Sequence, residues 1–366
     1  MADQHVSASP VRILFISRAW PPVIGGIERQ NQAVATELGK ITRLDVIANK
    51  YGKRALPLFL PYALLRVLVS LRKYDVVVLG DGVLGILGYV LKLVSAKPVA
   101  SIVHGLDLTY ANRIYQQLWI QIFLPRLDRL IAVGNDTIRK GIELGIPSDR
   151  FVFVPNGVTI PQTVPDYSRE ELEKFLGREI RGPVLLTLGR LVKRKGVTWF
   201  VNEVAPRLDE NITYVIAGDG NDRADILDAI ARKKLQDRVI FTGQVSEHDR
   251  EMLLCTADLF IQPNIRVDGD VEGFGLVVLE AASYGLVVLA SALEGLNDAI
   301  QQGENGYLLE AGNAESFHRM IESMLAEPAN RIAFGQKARD YVSRQQAWPL
   351  IAGRYRILLE ELVTGS

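Results

Sequence analysis

Two α/β domains, each built on a parallel sheet, are predicted by three observations. Short Val- and Ile-rich runs alternate with longer amphipathic stretches, the alternation occurs twice, and 366 residues exceed the size at which one hydrophobic core stops growing. In the first half the strand-like runs are VRILFIS (11–17), RLDVIAN (43–49), DVVVLG (75–80), PVASIV (98–103), RLIAVG (129–134) and FVFVP (151–155). The second half repeats the scheme with PVLLTLG (183–189), TYVIAG (213–218), RVIFTG (238–243), DLFIQP (258–263), LVVLAS (286–291) and GYLLE (306–310). Helical patterns fill the gaps.

Residues 157–182 run through Gly157, Pro161 and Pro165 into a charged segment without a strand-like run, so the linker is expected there. This predicts domains over 1–165 and 166–345. A last helical pattern, from Trp348 to Leu362, follows a helix expected to end near Arg344; residues 346–366 are expected to pack back on the first domain.

Hydrophobic residues make up 48% and charged residues 23%, which excludes a disordered or fibrous chain. The single cysteine, Cys255, excludes an internal disulfide and a zinc site of paired cysteines, and it is expected to be a small buried residue. His5, His248 and His318 share no spacing for a metal, and none is expected. The opening MADQHVSASP lacks the pattern of a secretory signal, so a cytoplasmic location is expected. No run of eighteen apolar residues free of charge suggests a membrane span.

Forty-two basic residues balance forty-two acidic ones, which gives no reason to invoke nucleic acid. The halves differ: residues 1–160 hold 19 Lys and Arg against 11 Asp and Glu, whereas 161–366 hold 23 against 31, balances of +8 and −8. That asymmetry bears on partners and not on fold.

Neither half has the GxGxxG turn of a dinucleotide fold, which argues against a nicotinamide or flavin cofactor. In PPVIGGIERQ, Gly25 and Gly26 would let backbone approach a ligand at the start of a helix near Ile27, or serve only a tight connection. LGRLVKRKGV brings Gly189, Arg190, Lys193, Arg194 and Lys195 to the carboxyl end of a strand, where a cationic loop suits a diphosphate; a solvated basic loop is the alternative. In DVEGFGLVVLEAASYG, Gly273 and Gly275 flank Phe274 before a helix from about Leu276, whose free N–H groups suit phosphate oxygens. Glu272 stands just outside that helix and Glu280 inside it, both turned to one ligand end; Glu280 as a plain surface charge is the alternative. His104, in SIVHGLDLTY, ends another strand, with Gly105 leaving room beside it for a hydrogen bond to a substrate hydroxyl.

The set SRAWPPVIGGIE, HGLDLTY, VPNGV, LGRLVKRKG, AGDG, FTGQV and EGFGLVVLEAASYG resembles the retaining glycosyltransferases of family 4, also described as glycosyl transferases group 1, over residues 11 to 360. The resemblance implies the GT-B fold, two Rossmann-like parallel-sheet domains facing a central cleft. It makes 1–165 the acceptor-binding domain and 166–345 the nucleotide-sugar domain. By it, Gly25, Gly26 and Gly189 bring backbone to the donor, Arg190 and Lys195 clamp the diphosphate, and Glu280 holds the ribose. Glu272 with the N–H groups of Gly273, Phe274, Gly275 and Leu276 holds the transferred sugar, His104 contacts its hydroxyls, and Gln244 and Val245 meet the base. Gly134 and Asn135 stand where the family often has serine.

Cations and helix N–H groups can stabilise a leaving diphosphate without a metal, so a metal-independent hexosyltransferase without a cofactor is expected; the sequence does not reveal the donor, for which UDP-hexose is taken first and GDP-mannose second. A nucleotide-sugar epimerase of the same fold and a non-catalytic sugar-nucleotide-binding relative are the alternatives. Residues 50–73, KYGKRALPLFLPYALLRVLVSLRK, mix six cations with Leu and Phe, which suits either an anionic membrane surface or an ordinary connecting helix. With the +8 half, this points to a lipid-linked or saccharide acceptor in envelope polysaccharide synthesis, at the inner face of the membrane.

Overall fold

The computed structural model describes residues 10–23 and 25–365. His5 and most of the opening segment MADQHVSASP lie outside them. The chain divides into two compact units. One runs to Gly157 and resumes at Trp348; the other is Val158–Ala347.

The first unit carries six parallel strands, β1 (Arg12–Ser17), β2 (Arg43–Ala48), β3 (Val76–Leu79), β4 (Val99–Val103), β5 (Arg129–Ala132) and β6 (Phe151–Phe153). Their order is β2-β1-β3-β4-β5-β6. All residues of β3 and β4 are buried, which is why both read as unbroken apolar runs, while the edge strand β2 has no fully buried residue. The helices are α1 (Gly26–Ile41), α2 (Leu56–Ser70), α3 (Gly85–Val94), the short α4 (Leu106–Thr109) and α5 (Arg113–Tyr115), and α6 (Asn135–Glu143). Phe59, Ala63 and Val67 of α2 and Leu87 and Leu91 of α3 close one core with Leu14, Val77 and Leu130 of the sheet.

The second unit repeats the layout with β7 (Val184–Leu188), β8 (Thr213–Ala217), β9 (Val239–Gly243), β10 (Leu259–Gln262), β11 (Val287–Ser291) and β12 (Tyr307–Leu309), all parallel, in the order β12-β11-β10-β7-β8-β9. Its helices are α7 (Arg169–Leu176), α8 (Val197–Glu203), α9 (Arg223–Arg232), α10 (Glu247–Thr256), α11 (Leu276–Ser283), α12 (Leu296–Ala299), α13 (Ala314–Ala326) and α14 (Pro328–Gln345). Phe200 centres the core, its ring 4.9 Å from Tyr214 and 6.0 Å from Phe317. The buried Tyr214 hydroxyl is satisfied by Thr187 Oγ1 at 2.7 Å. The last helix, α15 (Trp348–Thr364), belongs to the first unit, where it lies along α1 with Ile351, Ala352, Tyr355 and Leu359 buried.

Two boundaries differ from those read in the sequence. The units divide after Gly157, not after residue 165, and residues 158–182 are part of the second unit instead of a free linker. They contain α7, whose start is fixed by a capping box between Ser168 and Glu171, and Tyr167 donates to Glu251 of α10 at 3.1 Å. Cys255 is only half-buried; even so, burial pushes its thiol up to about 12, which leaves it inert at neutral pH.

Candidate active site

In the second unit, loops following the carboxyl ends of β7, β10 and β11 bring charged residues together far from one another in sequence. Lys195 Nζ lies 2.6 Å from Glu272 Oε2, and both side chains are about nine-tenths buried. Asn264 Nδ2 donates to the same oxygen at 3.2 Å. Arg194 bonds Asp270 at 2.8 Å, and its Nε stands 3.5 Å from Glu272 Oε2 without making a hydrogen bond, so it acts on Glu272 through charge. All three contacts fall on Oε2. Burial alone would raise the Glu272 pKa, but Lys195 and Arg194 outweigh it and hold the carboxyl down at about 2. A buried carboxylate is thus kept ionised by two cations.

Glu294, after β11, fixes the loop that carries Glu272. Its Oε2 accepts the Glu272 N–H at 2.5 Å, while Gly295 N–H donates to the Glu272 carbonyl at 3.1 Å. Glu294 takes a left-handed φ of +50°, an unfavourable backbone for a residue with a side chain. Burial raises its pKa.

Close backbone approaches explain the glycines. Gly275, at φ +82°, caps α11, and a Cβ there would stand 2.6 Å from Leu296 Cδ2. No side chain caps this helix, so its first N–H groups point out of the Gly273–Leu276 turn. Gly196, at φ +66°, follows Lys195, and a Cβ there would lie 1.9 Å from the Pro263 carbonyl oxygen. Gly196→Ala is expected to lose about 1–2 kcal/mol from the left-handed backbone and more from the clash. Gly312, at φ +77° with nothing within 4 Å, isolates the backbone part. Urea unfolding of Gly196→Ala beside Gly312→Ala checks this, and equal losses would refute the close approach.

Glu280 does not share the Glu272 cluster, since it pairs with Arg250 of α10. Arg190 is exposed and forms no ion pair among the described residues, unlike Lys195 five positions on. Gly189, at φ +138°, directly follows β7, with nothing within 4 Å of where a Cβ would be. Gln244 is exposed and Val245 half-buried, directly after β9. Phe274 is buried. Arg194 was named from the sequence only as one cation of the basic loop and not as a partner of Glu272, and Asn264, Arg250 and Glu294 were not singled out. Arg194 sits within the basic loop and Asn264 just past a strand, so position held a signal for both; Glu294 and Arg250 carried none.

His104, Gly25 and Gly26 belong to the first unit. Gly25 precedes α1, and nothing lies within 4 Å of where a Gly26 Cβ would be, so close approach of backbone is open there. The His104 ring is buried with Nε2 3.0 Å from the Gly80 carbonyl. A carbonyl only accepts, so Nε2 carries the proton, and in the neutral ring Nδ1 is left as an acceptor. Asp107 anchors this corner through the N–H groups of His104 and Gly82, both at 2.9 Å. Nearby Asp81 is fully buried against Arg18, and burial raises its pKa.

Residues 17–160 match the family described as Glycosyltransferase Family 4, and residues 168–341 the family described as Glycosyl transferases group 1. The chain belongs to the family 4, group 1 glycosyltransferases. Among relatives of this glycosyltransferase, the UDP-Gal:alpha-D-GlcNAc-diphosphoundecaprenol alpha-1,3-galactosyltransferase of Escherichia coli is 28% identical over 68% of this chain and 66%, just under two thirds, of that protein. The GDP-mannose-dependent alpha-(1-6)-phosphatidylinositol monomannoside mannosyltransferase of Mycolicibacterium smegmatis is 24% identical over 96% of this chain and 98% of that one. The solved structure of Anabaena HepE in complex with UDP has a TM-score of 0.77 at 18% identity, over 96% of this chain and 100% of that chain. The fold is GT-B, as the resemblance implied.

Proposed function

We propose that this glycosyltransferase moves a hexose from a nucleoside-diphosphate sugar to a lipid-linked or saccharide acceptor, with retention at the anomeric carbon and without a metal ion. UDP-hexose is the first donor to test and GDP-mannose the second. One observation carries the reading: buried Glu272 is held ionised by Lys195 and Arg194 beside the uncapped, glycine-flanked start of α11. Such a place offers an acceptor for sugar hydroxyls, cations for a diphosphate, and helix N–H groups for its oxygens. The two relatives support the donor classes, since their names specify UDP-Gal and GDP-mannose, with acceptors built on a diphosphoundecaprenol and a phosphatidylinositol.

In the proposed reaction the bond between the anomeric carbon and the diphosphate oxygen breaks and its electron pair goes to the diphosphate. The acceptor oxygen bonds the same face of that carbon, and its proton passes to the leaving phosphate oxygen. Lys195 has three N–H groups, of which Glu272 takes one, so the ammonium can serve carboxylate and phosphate together. Arg190 is assigned to the diphosphate as well. Glu280 is assigned to the ribose, Gln244 and Val245 to the base, and Glu272 with the Gly273–Leu276 N–H groups to the sugar. For His104 the role remains the contact to sugar hydroxyls that the resemblance implies. Cations and helix N–H groups stabilise the departing charge in the absence of a divalent ion.

The test is turnover on a panel of nucleoside-diphosphate sugars. Donor consumption is expected to require an acceptor and to persist in excess chelator, and proton coupling constants of the product report the anomer. Product formed without acceptor would indicate an isomerase, and activity lost in chelator but restored by a divalent ion would remove the metal-free claim.

A further inference from the structure

We propose that α2 is a membrane-docking helix that lies in the headgroup region of an anionic bilayer. The helix carries two apolar stripes. Phe59, Ala63 and Val67 are buried against the sheet. Leu58, Tyr62, Leu65 and Val69 recur at helical spacing on the other side, and all four are exposed, Leu58 and Val69 at 80%. An ordinary connecting helix would carry polar residues there. The exposed apolar stripe on its water-facing side has no counterpart among the long helices of the second unit, where α13 and α14 together leave only Ile332 exposed among large apolar side chains.

The charge around the stripe selects the partner. Lys53 and Arg54 precede the helix, Arg66 lies within it, and Arg72 and Lys73 follow it. All five are exposed, and none forms an ion pair among the described residues. No acidic residue occurs between Asp45 and Asp75. A cationic rim around an apolar stripe matches acyl chains beneath anionic headgroups, with long basic side chains reaching up to the phosphates. The neighbouring helix α3 ends on exposed Leu93 and Val94; like α2 it leads into a central parallel strand, so both helices finish towards the amino ends of the strands.

The segment Lys53–Lys73 is long and apolar enough to cross a membrane by composition, and little of it is buried. Its inner stripe decides against crossing. Pulling the helix out would expose the core faces of Leu14, Val77 and Leu87, so the fold holds α2 on its surface with one stripe outward.

The test is sedimentation of the full chain with vesicles at low salt, using phosphatidylcholine alone and phosphatidylcholine mixed with phosphatidylglycerol. Binding is expected to the mixed vesicles. Arg72→Gln with Lys73→Gln should weaken it about twenty-five-fold, since each basic residue near an anionic surface contributes roughly fivefold. Leu58→Ser, Leu65→Ser and Val69→Ser combined should weaken it further without lowering the melting temperature, because these side chains touch no core. The proposal is overturned if the unaltered chain stays in solution with mixed vesicles, if the serine variant binds them as tightly, or if the stripe instead joins two copies of the chain, seen as a dimer that the serine variant dissolves. Calorimetric titration with UDP and GDP on the same variants keeps this result separate from the donor assignment, as vesicle binding does not depend on the nucleotide.

Discussion

Lys195→Ala is expected to weaken binding of a nucleoside diphosphate about ten- to hundredfold, the range for losing one charge-assisted hydrogen bond, and to slow turnover with the full donor. The ammonium meets the diphosphate in the ground state and faces more charge as the glycosidic bond breaks, so both binding and rate should fall. The structure adds a second effect. Removing Lys195 strands the Glu272 carboxylate, which is buried and has only Asn264 and the more distant Arg194 left. Breaking one side of a buried pair costs about 3–5 kcal/mol, so this variant should also unfold at lower urea. Adding Glu272→Gln to Lys195→Ala removes the stranded charge and should restore part of the stability, but none of the diphosphate affinity. Calorimetric titration and urea unfolding of the single and double variants separate the two effects. Diphosphate binding undiminished in Lys195→Ala would mean that the phosphate clamp lies elsewhere.

Glu272→Gln is expected to show the opposite division: near-normal binding of the free diphosphate and turnover lower by about 10²–10³, the scale for one group aimed at the reacting sugar. Glu280→Gln should weaken nucleotide and donor together through the ribose. The pH dependence of Glu272→Gln is a separate reading. The Glu272 carboxyl lies at about 2 in the fold against an ordinary 4.5, so its ionised form stabilises the fold fully above that ordinary value. That contribution fades as pH falls from 4.5 towards 2, because protonation gives up the Lys195 and Arg194 attraction. The glutamine variant should therefore be less stable at neutral pH and lose less stability on acidification. Parallel acid-side losses in the two proteins would show that Glu272 is not held ionised.

The fold was largely legible because its information is local. Val76–Leu79 and Val99–Val103 are central strands buried on both faces, so they appear as apolar runs whatever surrounds them. The errors lay at ends: RLIAVG stops at Ala132 because Val133 and Gly134, although buried, belong to the turn into α6. The site was legible only as separate loops. Nothing in a linear pattern links Lys195 with Glu272, since β7 and β10 must first lie side by side before their loops meet. Glu280 illustrates the limit: its helix position was readable, but its pairing with Arg250 depends on how α10 packs. For α2 the sequence contained both stripes, yet only packing shows which one the sheet takes.

The return of α15 to the first unit imposes an order on biosynthesis. Residues 158–347 form a continuous unit that is complete once Ala347 has been made. The first unit, begun earlier, must wait for Trp348–Thr364 before α1 gains the helix that lies along it. At ordinary rates of synthesis the delay after Gly157 is on the order of tens of seconds. Through that interval the unit that starts first is the one still unfinished, so a chain stopped at Ala347 would carry a complete second unit attached to a first unit with an uncovered apolar face.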